Sequence, residues 1–145
     1  MLNFTKNIEN LEQLKKFWED LLPLFKARTI LLLNGEVGAG KTHSVKAIAE
    51  ILDLKDVVSP SFAIHNRYES ANGFVLDHVD LYRLKDDEDL ESTGFWDLFS
   101  QAQSLVAIEW SQRLNISNLP MNWQQVEVLI TITGETTRKL EVRFV

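Results

Sequence analysis

The sequence predicts an α/β fold: a mostly parallel central sheet flanked by helices, with antiparallel hairpins. Three observations carry that prediction. Thr29–Leu33 and Ser104–Trp110 are short, nearly continuous apolar runs, the pattern of strands covered on both faces in a parallel sheet. Two other segments place apolar residues at helical spacing, and the order strand, helix, strands, strand is an α/β order. Strand-like pairs on either side of Ser70-Ala71-Asn72-Gly73 and of Gly134-Glu135-Thr136-Thr137 read as hairpins.

Taken in order, Met1–Lys6 alternates weakly through Leu2 and Phe4 and fits a short edge strand. Ile8, Leu11, Leu14, Phe17, Trp18, Leu21, Leu22 and Phe25 then mark an amphipathic helix, opened by Asn7 and closed around Pro23. The buried strand Thr29–Leu33 ends in Asn34-Gly35. A second helix spans Thr42–Leu52, with Val45, Ile48, Ala49 and Leu52 on one face. Ser59-Pro60-Ser61 breaks the chain before the hairpin strands Phe62–Glu69 and Phe74–Val79. Asp86–Thr93 reads as a short acidic helix stopped by Gly94, its acidic start suited to the helix dipole. After Ser104–Trp110, the strands Val126–Thr133 and Leu140–Val145 close the domain.

The chain has 145 residues, 45% hydrophobic and 25% charged, the composition of one ordinary globular domain spanning 1–145. It contains no cysteine, which excludes disulfides, thiolate zinc sites, iron–sulfur clusters and cysteine nucleophiles. A net charge of −6 is a poor basis for a non-specific grip on nucleic acid, which depends on Lys and Arg at phosphates. No apolar run approaches the roughly 20 residues of a membrane helix, and Met1–Asn10 lacks the pattern of a signal peptide. A cytoplasmic protein with no membrane partner is expected.

Gly35-Glu36-Val37-Gly38-Ala39-Gly40-Lys41-Thr42 matches G-x-x-x-x-G-K-[ST] at every fixed position, after a strand and before a helix as the motif requires. The chemistry dictates these residue types. Backbone N–H groups must turn inward around phosphate oxygens, which calls for glycine conformations and an unobstructed approach. The helix beginning near Lys41 presents its positive end. Lys41 reaches the β- and γ-phosphates, and Thr42 offers a hydroxyl to Mg²⁺. The fold expected around such a loop is P-loop NTPase-like, and the cofactors are ATP and Mg²⁺.

Such a site also needs an acid at the end of a neighbouring strand. Glu109, after Leu105-Val106-Ala107-Ile108, is the better pattern match and is assigned to the metal. Asp80, before Leu81-Tyr82-Arg83, is assigned to orienting the attacking water or holding the Mg²⁺ shell. Ser59-Pro60-Ser61-Phe62 is positioned as a γ-phosphate-sensing loop or an ordinary turn. His43, His65 and His78 do not form a metal set; His78 shares a strand face with Asp80 and reads as structural or as a partner to a ligand. Trp110 flanks the nucleotide or a partner, or simply packs. There is no [NT]-K-x-D tetrad, which argues against a GTPase. No long insertion exists for a lid and acceptor site, so phosphoryl transfer to water is favoured over a P-loop small-molecule kinase, the alternative reading.

The phosphate-loop octapeptide, Ser59-Pro60-Ser61-Phe62, His78-Val79-Asp80-Leu81-Tyr82-Arg83 and Ile108-Glu109-Trp110-Ser111 stand in an order and spacing that resembles the bacterial TsaE (YjeE) family. The resemblance covers essentially the whole chain. It implies a small P-loop ATPase required for the threonylcarbamoyladenosine modification of tRNAs reading codons that begin with A. It implies action with the TsaD and TsaB proteins, and contact with tRNA only indirectly through that complex. Residue by residue, it implies Thr42 and Glu109 as Mg²⁺ ligands, Lys41 as the phosphate lysine, Asp80 as an essential acid near the γ-phosphate, and Trp110 and Arg138 at the border of the nucleotide. Val37, His43, Ser61 and Gln112 depart from the residues usual in the family, and Gln112 removes a carboxylate there.

Overall fold

The computed structural model describes residues 3–57, 65–81, 95–100, 104–110 and 116–145. The expected acidic helix Asp86–Thr93, the Ser59–Phe62 loop, Arg83, Gln112 and Arg113 lie outside these residues.

The described residues form one eight-stranded sheet. Its strands are β1 (Asn3–Ile8), β2 (Arg28–Gly35), β3 (Lys55–Val57), β4 (His65–Glu69), β5 (Val75–Asp80), β6 (Ser104–Glu109), β7 (Gln124–Ile132) and β8 (Arg138–Phe144), in the order β1-β8-β7-β2-β6-β5-β4-β3. The four central strands β7, β2, β6 and β5 run parallel. The β7–β8–β1 and β5–β4–β3 margins are antiparallel. A parallel centre with hairpin margins is the architecture the sequence predicts.

Two helices cover one face, α1 (Leu11–Leu21) and α2 (Lys41–Ile51). The sequence places the start of α1 too early. Ile8 has helical spacing to Leu11, but its backbone pairs with Arg138 in β8, and the ladder claims the residue for β1. Asn10, rather than Asn7, caps the helix: its side chain accepts from the Gln13 N–H at 2.9 Å, and Gln13 Oε1 turns back to the Glu9 N–H at 2.8 Å. This reciprocal arrangement satisfies donors at the helix start and is worth about 1 kcal/mol. At the far end, Pro23 enters a 3₁₀ turn, Leu22–Leu24.

The apolar stripe of α1 (Leu14, Phe17, Trp18, Leu21) and that of α2 (Val45, Ile48, Ala49) are buried on Leu31 and Leu33 of β2, Leu76 of β5, Leu105 and Ala107 of β6, and Val126, Val128 and Ile130 of β7. On the other face, Ile30, Leu32, Val79, Val106 and Ile108 meet Phe95, Leu98, Leu119 and Trp123. Phe95–Ser100 is a 3₁₀ segment, an element the sequence does not announce, as it does not announce β3. β2 and β6 are thus buried on both sides, which explains their unbroken apolar runs. β7 and β8 alternate instead, with Leu129 42% exposed on the open side. Among the described residues no helix is long and apolar enough to cross a membrane.

Candidate functional site

The site lies at the carboxyl ends of the central strands, where open α/β sheets bind ligands. β2 ends in Gly35, residues 36–40 turn, and α2 begins at Lys41. Gly35 has φ +153°, and a Cβ there meets the Ile130 carbonyl oxygen of β7 at 2.5 Å, so only glycine lets the loop leave the sheet here. Gly40, the residue before the helix, has φ +117°. Within the turn the Ala39 N–H donates to the Glu36 carbonyl at 3.0 Å, and Val37 stands 78% exposed at the tip.

A pocket of about 360 Å³ gathers Val37, Gly38, Gly40, Lys41, Thr42, His43, Asp80, Glu109 and Trp110. Parallel pairing of β5 with β6 sets Asp80 directly opposite Glu109, the last residue of each strand. Asp80 is exposed, whereas Glu109 is 4% exposed. Like charges paired across strands repel, which favours a cation or donor beside the pair. The hydroxyl of Thr42 and the two carboxylates are hard oxygen donors on one pocket. Among the described residues no cluster of three or more His, Cys, Asp or Glu forms a ready-made metal cage. That donor set fits Mg²⁺, which takes one or two carboxylates and completes its shell with phosphate and water.

Trp110 leaves β6 with φ +62°, a left-handed conformation costly for a bulky residue. The predicted strand Ser104–Trp110 therefore stops one residue early. The turn puts the indole against Lys41: the ammonium sits 4.1 Å from the ring centroid, and Lys41 is only 5% exposed. A desolvated ammonium over an indole gains about 2 kcal/mol, offsetting part of the cost of burying the charge.

Arg138 occupies the other flank of the loop. From the start of β8 it donates through Nε to the Ala39 carbonyl at 3.1 Å and through a terminal nitrogen to the Gly38 carbonyl at 3.2 Å. Its remaining nitrogen holds the carbonyls of Gly134 at 3.1 Å and Thr137 at 2.8 Å. One guanidinium thus ties the closing hairpin to the phosphate loop. It also lines a second cavity of about 590 Å³, whose wall is apolar at Ile8, Leu11, Leu14 and Ala39 and polar at Asn10, Glu12, His43, Glu135 and Thr136. This cavity shares Gly38, Gly40 and His43 with the acidic pocket.

The structure therefore brings Lys41, Thr42, Asp80, Glu109 and Trp110 into one pocket and places Arg138 on the opposite side of Gly38 and Ala39. Sequence reasoning missed the apolar-walled cavity, because the start of α1 and the β7–β8 turn reach the loop only through the tertiary fold. His78, read from the sequence as structural or as a partner to a ligand, is buried with its Nε2 against the Glu109 carboxylate at Oε2; which acid it meets is set by strand pairing and was not legible from its spacing to Asp80.

A glycine loop between a central parallel strand and its helix, with acids ending the next two strands on one side, defines a P-loop NTPase-like protein. The family model described as threonylcarbamoyl adenosine biosynthesis protein TsaE matches residues 8–140. The chain belongs to the TsaE family. It is 36% identical over 109 residues to the tRNA threonylcarbamoyladenosine biosynthesis protein TsaE of Aquifex aeolicus, covering 73% of this chain and 75% of the relative. The Rickettsia felis protein of the same name is 36% identical over 133 residues, 90% of this chain and 74% of the relative. The crystal structure of YdiB from Bacillus subtilis superposes with a TM-score of 0.70 at 26% identity, covering 97% of this chain and 84% of that one.

Proposed function

We propose that residues 1–145 act as one P-loop ATPase domain that hydrolyses ATP to ADP and phosphate in the threonylcarbamoyladenosine modification of tRNA, in the cytoplasm and together with TsaD and TsaB. Contact with tRNA is then indirect, through that complex. Membership of the TsaE family supports the pathway. The observation that carries the chemistry is the pair of cavities on either side of Gly38–Gly40, one around Lys41, Thr42, Asp80 and Glu109, the other with an apolar wall of Ile8, Leu11, Leu14 and Ala39 rimmed by Asn10, Glu12, Glu135, Thr136 and Arg138. A nucleotide has the same two-ended character, and the shared wall at Gly38, Gly40 and His43 lets one molecule occupy both.

In this reading the loop N–H groups and the start of α2 cradle the phosphates. Lys41 balances charge on the β- and γ-phosphates. Thr42 and Glu109 hold Mg²⁺, and Asp80, one strand over, orients the attacking water. Mg²⁺ supplies Lewis-acid neutralisation of the phosphate oxygens. Trp110 confines the lysine ammonium, and Arg138 keeps the carbonyl side of the loop turned away from the anion. The apolar-walled cavity takes the base.

The test is ATP hydrolysis by the purified chain, with and without TsaD–TsaB. Six arginines, Arg28, Arg67, Arg83, Arg113, Arg138 and Arg143, stand outside the loop in sequence. Arg138 is committed to backbone carbonyls and Arg67 to buried Asp77 at 2.8 Å. Among the described residues Arg67 and Arg138 are thus held by other groups, and a partner surface is proposed to complete the site. Turnover should be slow alone and rise tenfold or more, about 1.4 kcal/mol of barrier, as the partner complex is titrated in. A flat rate with binding confirmed separately rejects partner activation; a phosphorylated small-molecule acceptor in place of free phosphate rejects the hydrolase reading.

A further inference from the structure

Glu109 is a buried carboxylate, and a buried carboxylate needs a donor or a cation to be tolerated. Asp80, its direct cross-strand neighbour, is an acid and offers no donor when ionised. The group that meets Glu109 comes from two residues back along β5, His78, whose Nε2 contacts Oε2. His78 lies on the same face as Asp80, two residues earlier, and its register partner in β6 is Ala107. The single methyl of Ala107 leaves the space across which the imidazole leans diagonally to Glu109, a reach that long side chains make in sheets. His78 is itself 8% exposed, so the contact is sheltered from water on both sides.

We propose that His78 is a positioning residue for the divalent-cation site, acting through Glu109. Its Nε2–H holds Oε2 and aims the other carboxylate oxygen toward the cation beside Thr42. The proposal rests on Glu109 as a metal ligand. A glutamate at a strand end has three rotatable bonds, and pinning one oxygen removes most of that freedom before the metal arrives. Partners of this kind commonly set metal affinity by one to two orders of magnitude.

The test is calorimetric ADP binding over a Mg²⁺ series, beginning in chelator, for the native chain, H78F, H78Q, E109Q and H78F/E109Q. Thermal melting without Mg²⁺ is recorded alongside. H78F keeps the bulk of the ring and loses the donor; H78Q keeps an N–H at a similar reach. The Mg²⁺ midpoint should rise about tenfold or more in H78F, with metal-free ADP binding unchanged. H78Q should recover most of that shift. H78F should add nothing in the E109Q background, because the two act as one unit. A native Mg²⁺ midpoint in H78F overturns the proposal, as does an equal further shift in the E109Q background. If H78F does not fold, H78Q decides: a midpoint displaced as far as that of E109Q refutes positioning, and a near-native one supports it. Native ADP affinity that ignores Mg²⁺ overturns the metal reading of Glu109 first, and this proposal with it.

Discussion

Replacing Arg138 separates two roles that one residue can play at a phosphate loop. Its guanidinium donates to Gly38 and Ala39 on the loop and to Gly134 and Thr137 on the hairpin. Hydrogen bonds from a charged donor contribute about 1.5–3 kcal/mol each when sheltered. Arg138 is half-buried, so water replaces part of what is lost, and the two loop bonds together amount to about 1.5–3 kcal/mol. Because the loop must be ordered to bind phosphate, most of this should appear as weaker nucleotide binding, about ten- to a hundredfold in R138A. The hairpin bonds should appear as a melting temperature lower by a few degrees. R138K is the discriminating variant. Lysine keeps the charge but lacks the planar fork that spans two carbonyls on one side and two on the other. Calorimetric ADP binding and thermal melting of the three proteins measure both effects. R138K as weak as R138A supports a strut that shapes the loop; R138K with native affinity refutes that reasoning and makes Arg138 a simple charge beside the nucleotide.

K41A should lower ATP hydrolysis at least about a hundredfold, the scale of losing one fixed charge from the transferring phosphate, while circular dichroism stays native; near-normal turnover removes the phosphate-loop assignment. E109A should weaken the Mg²⁺ dependence of nucleotide binding, whereas D80A should leave ADP binding closer to native and lower hydrolysis; the opposite pattern in calorimetry reverses the two roles. G35A drives a Cβ to 2.5 Å from the Ile130 oxygen at φ +153°, and since both atoms belong to paired strands neither can yield cheaply. Stability should fall by about 2 kcal/mol or more, read as an earlier melting transition, and an unchanged transition shows that the loop backbone relaxes.

Much of this protein was determined by sequence alone, for local reasons. Gly35–Thr42 is legible as a loop between strand and helix from its spacing, because a turn of glycines before a helix is a short-range device. β2 and β6 are legible as unbroken apolar runs because both faces of each are covered, and α2 as a stripe of Val45, Ile48 and Ala49 because one face is. Glu109 and Asp80 are legible as acids at strand ends. Only the tertiary structure decided the rest. The start of α1 was settled by a ladder partner, Arg138, 130 positions from Ile8, to which helical periodicity is blind. β3 has three residues, too few to show a period. Trp110 belongs to the apolar run of β6 by composition, yet its backbone turns left-handed so that the indole covers Lys41. The parallel register placed Asp80 beside Glu109 and leaned His78 onto it. The β8–β1 pairing brought Ile8 and the start of α1 against the loop that Arg138 braces, making the apolar-walled cavity. Spacing along a chain sets what a segment can do by itself; which segments share a pocket depends on strand order, and strand order is chosen by burial and hydrogen bonding across the whole sheet.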